Sequence, residues 1–284
     1  MTASHFDSNS NVLDRSLLLE QLQQLSVAIL KATTASVGSR IPGMATTVQE
    51  LAGGVLGFSG PDIPFTRAIG VGTSRPADRI DVEAIEMFYR ERNSPVRMVI
   101  SERTHILLPN LLKTKGYESG GFLQNWWLPL TTRKALPASQ NVEILPARRD
   151  QAEQWARTVA AGFEEECLPI DDCRLSEETL DTFYCLGFSD GAHAFFAKLD
   201  GVVAGGGVLH IAQQTASIRT TSCRLQYRNK GVQRALLAYR LEEAAKAGCR
   251  YAFSSTDKLG ASSRNLRNVG FRTLSRSFTM TSPA

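Results

Sequence analysis

The stretch best equipped for chemistry is Gln226-Tyr-Arg-Asn-Lys-Gly-Val-Gln-Arg-Ala-Leu-Leu, a basic, glycine-bearing turn ahead of an amphipathic helix. Backbone N–H groups at a helix N-terminus lack carbonyl partners and carry partial positive charge, so a turn of this kind binds anions. Gly231 allows a phosphate to approach the backbone closely, and Arg228, Lys230 and Arg234 add mobile charge. Together they can cradle a pyrophosphate. The cysteines point elsewhere. Cys167, Cys173, Cys185, Cys223 and Cys249 form an odd set with no CxxC pair, which argues against a disulfide framework and a structural zinc site. They read as small buried hydrophobes with no local base to activate them.

With strands before it, an Ala/Leu-rich helix after it and Ser262-Ser-Arg-Asn-Leu-Arg-Asn-Val-Gly-Phe-Arg further on, the turn resembles the signature of the GNAT superfamily of N-acetyltransferases. That signature is Arg or Gln, two variable residues, Gly, one variable residue, then Gly or Ala. Arg228 and Gly231 match it, whereas Gln233 departs from it at the last position. The likeness spans Val142 to Met280. It implies acetyl-CoA as cosubstrate and no metal. Thr221, Ser222 and Cys223 on a strand would meet the pantetheine arm. Arg228, Asn229, Lys230, Gly231, Val232, Gln233 and Arg234 would hold the pyrophosphate, and Asn265 on the family's fourth helix would touch the arm.

Acetyl transfer needs a neutral amine, attack on a thioester carbonyl and a proton for the departing thiolate. The family often supplies that proton from a Tyr on the fourth helix, but Leu266 stands there; water suffices for so good a leaving group. For the base, His210 at the end of a central strand has a suitable intrinsic pKa. Glu164, Glu165 and Glu166 lie where the family's substrate-binding helices fall, with Glu166 taken as their representative, and Tyr184 is a further candidate. The acidic run from Glu164 to Asp190 would attract a cationic amine. The expected acceptor is a primary amine of a small molecule. Acetylation of a protein or peptide amine, and CoA binding without catalysis, stay open as alternatives.

The elements that must position these residues follow from periodicity and turn chemistry. Val12 to Ala35 reads as a helix behind Asn11 as N-cap, with Leu13, Leu17, Leu18, Leu22, Leu25 and Ile29 recurring at three- and four-residue spacing to form one face. Thr46 to Val55 and Phe65 to Val71 are strand-like, Asp81 to Arg92 and His105 to Lys115 helical, and Pro95 to Ile100 and Tyr117 to Leu130 extended. Trp126 and Trp127, neighbours on a strand, are expected to face opposite sides, one the core and the other a domain interface. Thr131 to Gln140 is polar, contains Pro137 and serves as linker. Beyond it come the strand Val142 to Leu145, the helix Asp150 to Phe163, and two strands, His193 to Leu199 and Val202 to His210, joined at Asp200-Gly201. A third strand, Thr215 to Cys223, completes a meander. The helix Val232 to Ala247, strand Tyr251 to Ser255, helix Ser262 to Val269 and strand Phe271 to Met280 follow.

Residues 65–130 repeat the final strand-helix order, and Leu111-Leu-Lys-Thr-Lys-Gly-Tyr parallels Asn265-Leu-Arg-Asn-Val-Gly-Phe. The expectation is a mixed α/β (α+β) chain with two tandem GNAT-like copies, each a twisted mixed sheet flanked by helices. Residues 1–130 form the first copy, degenerate and lacking a phosphate-binding turn; 131–141 are linker; 142–284 are the catalytic copy. With 284 residues, 43% apolar and 21% charged, the chain is long enough for two domains and ordinary enough to bury a core. Its longest apolar runs fall well short of the ~20 residues of a membrane-spanning helix, and its start lacks a signal-peptide pattern. A cytoplasmic monomer or homodimer is expected, without membrane or nucleic-acid partner; the basic run from Arg219 to Arg276 is accounted for by the phosphates of CoA.

Overall fold

The structure, a computed structural model, describes residues 14–61, 63–131, 141–163, 176–257 and 260–283. The linker expected at 131–140 lies outside them from 132 onward.

Among the described residues twelve strands form one mixed sheet. The first half contributes α1 (Arg15–Arg40), β1 (Thr47–Leu51), β2 (Gly54–Phe58), β3 (Arg67–Ile69), α2 (Arg79–Arg90), β4 (Arg97–Ser101), α3 (Leu107–Thr114) and β5 (Glu118–Pro129). The second contributes β6 (Val142–Pro146), α4 (Ala152–Ala161), α5 (Glu177–Phe188), β7 (Ala192–Leu199), β8 (Val202–Ala212), β9 (Thr215–Ser217), β10 (Thr221–Cys223), α6 (Val232–Lys246), β11 (Tyr251–Thr256), α7 (Ala261–Val269) and β12 (Arg272–Thr281). Across the sheet the order is β1-β2-β3-β4-β12-β5-β11-β9-β8-β7-β6, with β10 paired to β8. Two pairs are parallel, β3 with β4 and β9 with β11.

Several boundaries differ from the sequence reading. The strand expected at Thr46 to Val55 is a hairpin, because Ala52 (φ 52°) and Gly53 (φ 73°) both take left-handed backbone and turn the chain between β1 and β2. In α1 the cap is the Asp14 carboxylate, which accepts from the Ser16 N–H, and the helix runs on to Arg40; Asn11 lies outside the described residues. The acidic segment contains α5, capped by Ser176. The strand expected over Thr215 to Cys223 breaks into β9 and β10 around Thr220, whose φ is 51°.

The last strand of each half pairs into the other half. β12 lies between β4 and β5, and β5 in turn lies antiparallel to β11. The cores follow the strands. Met280 of β12 is fully buried among Val82, Ile85, Met98, Leu108 and Leu112. Trp126, Leu128 and Leu130 are buried with Leu209, Leu236, Leu241 and Leu266. The two tryptophans do face opposite sides. Trp126 enters that second core and donates from Nε1 to Thr256 Oγ1 at 2.9 Å, while Trp127 packs under α1 with Leu18, Leu22, Tyr251 and Phe253.

Candidate functional site

The break in the third strand of the second half creates the site. β9 pairs in parallel with β11 only as far as Ser217 opposite Phe253, and the Ile218 N–H still donates to Phe253 O at 2.8 Å. Beyond that point β10 turns to pair with β8, Thr221 opposite Gly207 and Cys223 opposite Gly205. The strands therefore splay, leaving Arg219 and Thr220 facing Ser255 and Thr256 across an opening. A β-branched residue at positive φ is strained, and a buried arginine holds it there. Arg240, on α6, donates to Val208 O at 2.8 Å, Arg219 O at 3.0 Å and Thr221 Oγ1 at 2.5 Å. It is fully buried, has no carboxylate partner among the described residues, and burial lowers its pKa to about 9. Sequence reasoning missed Arg240, since an arginine within a helix reads as surface. A faint signal was present in Gly205-Gly-Gly207 of β8: a Cβ at Gly207 would come within 3.0 Å of the Arg240 guanidinium.

At this opening lies a cavity of about 320 Å³, bordered on one side by Ile218, Thr220 and Thr221 and on the other by Ser254 to Asp257. Gln233, Leu237 and Arg240 of α6 and Ser262, Asn265 and Leu266 of α7 complete it. The turn read as anion-binding leads into α6. Asn229 (φ 62°) and Gly231 (φ 83°) are both left-handed, Gly231 is the N-cap of α6, and no side chain caps the helix. The N–H groups of Val232, Gln233 and Arg234 are thus left for an external acceptor.

The first half offers a direct contrast at α2, which follows β3 much as α6 follows β10. There Asp78 accepts from the Asp81 N–H at 2.9 Å, and the Asp81 carboxylate accepts from the Asp78 N–H at 3.0 Å. Arg75 adds a two-pronged ion pair to Asp81, at 2.7 Å for both bonds, and with it holds that carboxyl below its usual range. The helix end that could bind an anion already holds two carboxylates.

Of the residues singled out from the sequence, Thr221, Gln233 and Asn265 border the cavity together. Asn265 Nδ2 donates to Gln233 Oε1 at 3.0 Å, so the residue that departs from the family signature is tied to the helix expected to touch the arm. Arg228 is not mobile charge: its Nη2 donates to Gly162 O at 3.0 Å and its Nε to Cys223 O at 3.3 Å, fastening the turn to α4 and β10. Lys230 lies over the Tyr227 ring, 5.8 Å from its centroid. Ser222 and Cys223 are buried, and burial pushes the Cys223 thiol up to about 11. Cys185 and Cys249 are buried as well; Cys167 and Cys173 lie outside the described residues.

The candidate bases are less well placed. His210 is buried, and burial, then the charges of Arg219 and His193, bring its pKa down to about 4. It borders neither this cavity nor the neighbouring one described below. Tyr184 lies elsewhere, on α5 beneath the Arg40 guanidinium at 4.5 Å. Glu164, Glu165 and Glu166 are outside the described residues. Of the acidic run, Asp181 is paired with Arg40 at 2.8 Å and Asp190 borders a separate surface hollow between α1 and α5. None of its described carboxylates borders the cavity, so it gives no support to the cationic acceptor expected from the sequence. Among the described residues there is no His/Cys/Asp/Glu cluster able to hold a metal, and no helix is long and apolar enough to cross a membrane.

A mixed sheet splayed beside an uncapped, glycine-led helix defines the class, and comparison with known proteins agrees. Residues 151–271 match the model of the acetyltransferase (GNAT) family. A GCN5-related N-acetyltransferase from Kribbella flavida shares 14% identity, with 91% of this chain and 95% of that one aligned at a TM-score of 0.65. A tandem GNAT protein from the clavulanic acid biosynthesis pathway aligns over 92% of this chain and 95% of its own at 14% identity and TM-score 0.57. A GCN5-related N-acetyltransferase from Sphaerobacter thermophilus aligns over 93% and 92%, at 14% identity and TM-score 0.54. No curated protein sequence matches the chain. Residues 151–271 thus carry a domain of the acetyltransferase (GNAT) family, and the chain as a whole has the fold of these solved structures.

Proposed function

We propose that this protein is an acetyl-CoA-dependent N-acetyltransferase that modifies a primary amine of a small molecule, with residues 142–284 as the catalytic copy and 1–130 as a copy without cofactor. The observation that carries the reading is the uncapped N-terminus of α6, placed behind Gly231 at the edge of a cavity that continues into the break at Thr220. The residues fit the cosubstrate. The first-turn amides of Val232, Gln233 and Arg234 suit a pyrophosphate, and Thr221 and Asn265 offer polar groups to a pantetheine arm. When bound, acetyl-CoA supplies an acetyl group activated as a thioester and a thiolate leaving group.

The chain's own residues orient and exclude. Arg240 fixes the Arg219 carbonyl and the Thr221 hydroxyl on one wall of the opening, and Trp126, through Thr256, fixes the other. In the reaction the amine nitrogen bonds to the acetyl carbon, the carbon–sulfur bond breaks, and the amine proton passes to water. His210 is neutral at physiological pH and too weak a base to remove a proton from an ammonium group. No base is in place among the described residues, and an amine that arrives already neutral predicts turnover rising with pH toward the acceptor's own pKa. The bound carboxylates of α2 support a first copy that takes no CoA.

Thiol release in the presence of acetyl-CoA and a panel of small primary amines tests the reading, with the product identified by its gain of one acetyl mass. Turnover confined to peptide or protein amines would overturn the small-molecule assignment. Tight acetyl-CoA binding without turnover on any amine would overturn the catalytic one.

A further inference from the structure

A second cavity, about 120 Å³, lies between α1 and strands β3, β4, β12 and β5, and it shares Leu123, Arg219 and Ser255 with the cofactor cavity. The two spaces thus meet at the break in the strand. By size the second holds a small polar molecule, since a single water needs roughly 10–15 Å³ of the same space. Three arginines border it: Arg67 on β3, Arg103 just beyond β4, and Arg219 at the shared wall. No Asp or Glu does.

None of the three makes an ion pair among the described residues. Arg67 donates to the Pro64 carbonyl oxygen, Nε at 2.6 Å, and Arg103 Nε donates to Gln23 Oε1 at 3.2 Å. Arg219 Nε is buried with no acceptor at all. Burial, together with the nearby charge of Arg67, lowers the Arg219 pKa to about 10. Burial likewise lowers that of Arg67, with the charge of Arg97 adding to it. Guanidinium groups half-withdrawn from water without counter-ions are costly unless a ligand neutralises them, and their planar forks match carboxylate and phosphate.

We infer that this second cavity is the acceptor site and that the acceptor is an amine bearing an anionic group, carboxylate or phosphate, which docks against Arg67, Arg103 and Arg219. This rests on the transferase reading above and adds the acceptor's chemistry to it. The same positive field favours the neutral amine over the ammonium, a gain for a site with no competent base among the described residues.

The test has two arms. In the first, succinate and inorganic phosphate are titrated calorimetrically into the full chain saturated with CoA, which keeps phosphate off the α6 turn. The same is done for Arg67→Gln/Arg103→Gln and for Arg67→Lys/Arg103→Lys. We expect one of the two anions to bind the wild type, at least tenfold weaker binding in the Gln variant, and retention in the Lys variant, whose charge is kept. In the second arm, kcat/KM is compared for matched acceptors, β-alanine against β-alaninamide and O-phosphoethanolamine against ethanolamine. The acidic member of one pair should be favoured at least tenfold, and the preference should collapse in the Gln variant; which pair shows it distinguishes carboxylate from phosphate. Absence of anion binding, anion binding equal in wild type and Gln variant, or preference for the neutral partners would overturn the inference while leaving the transferase reading intact. If CoA itself fails to bind, the transferase reading fails, and loss of succinate binding in the Gln variant of the free protein still decides the anion site.

Discussion

Replacing Arg240 by Met, which keeps much of its bulk, should separate the shape of the cofactor site from the stability of the fold. Arg240 donates three hydrogen bonds to the broken strand and its neighbour, to Val208 O, Arg219 O and Thr221 Oγ1. Charged hydrogen bonds contribute roughly 1.5–3 kcal/mol each, but burying a guanidinium without a carboxylate costs several kcal/mol in return. The two nearly offset, so global stability should change by no more than about 2 kcal/mol. What the variant loses is the clamp on Thr220, whose left-handed backbone costs about 1–2 kcal/mol. Once released, β10 relaxes toward β11, and acetyl-CoA must restore the strained conformation from its own binding energy. A cost of 1–2 kcal/mol corresponds to a five- to thirtyfold loss of affinity. Urea denaturation gives the stability and calorimetry the affinity. Affinity within twofold of wild type, with the fold intact, would refute the assignment of Arg240 as the residue that holds the opening.

Three further outcomes are expected. Gln233→Ala restores the small residue of the family signature and frees Asn265 from a part-buried neutral hydrogen bond of about 0.5–1.5 kcal/mol; acetyl-CoA affinity should rise two- to tenfold, and a fall would mean that Gln233 itself serves the cofactor. His210 has a folded pKa of about 4 against 6.5 when exposed, so its unfolded state takes up a proton first as pH drops. Stability should be unaffected above pH 6.5 and fall by about 3 kcal/mol between 6.5 and 4; His210→Leu should flatten that segment of the curve, and an unchanged slope would count against the buried neutral state. Residues 142–284 expressed alone should not fold cooperatively, because Trp126, Leu128 and Leu130 complete their core from β5; a sharp thermal transition in that fragment would contradict the exchanged-strand account.

Much of the fold was legible because its signals are local. The hairpin at Asp200-Gly201 and the helix after Gly231 each follow from one or two residues that take left-handed backbone cheaply. Helix α5 was missed although Ser176 precedes Glu177 and Glu178 as a cap does, and Leu180, Phe183, Tyr184 and Gly187 recur at helical spacing; the density of acids drew the reading toward charge instead. The exchange of β5 and β12 has no local signal, since a strand's neighbours depend on contacts distant in sequence. The site divides in the same way. The uncapped turn at Gly231 is visible in six residues, whereas Arg240 and Thr220 acquire meaning only when α6 packs against β8 and β10, and the three arginines of the second cavity only when strands from both halves meet.

The central claim is that the turn before α6 holds the pyrophosphate of acetyl-CoA. Its most direct test is a calorimetric titration of acetyl-CoA into the wild type and into Gly231→Asp, which places at the N-cap a carboxylate like the one that closes α2. The account predicts one binding event per chain in the wild type and affinity at least tenfold weaker in the variant, with both proteins folded. Equal affinity in the two, or no heat of binding in either, would contradict it.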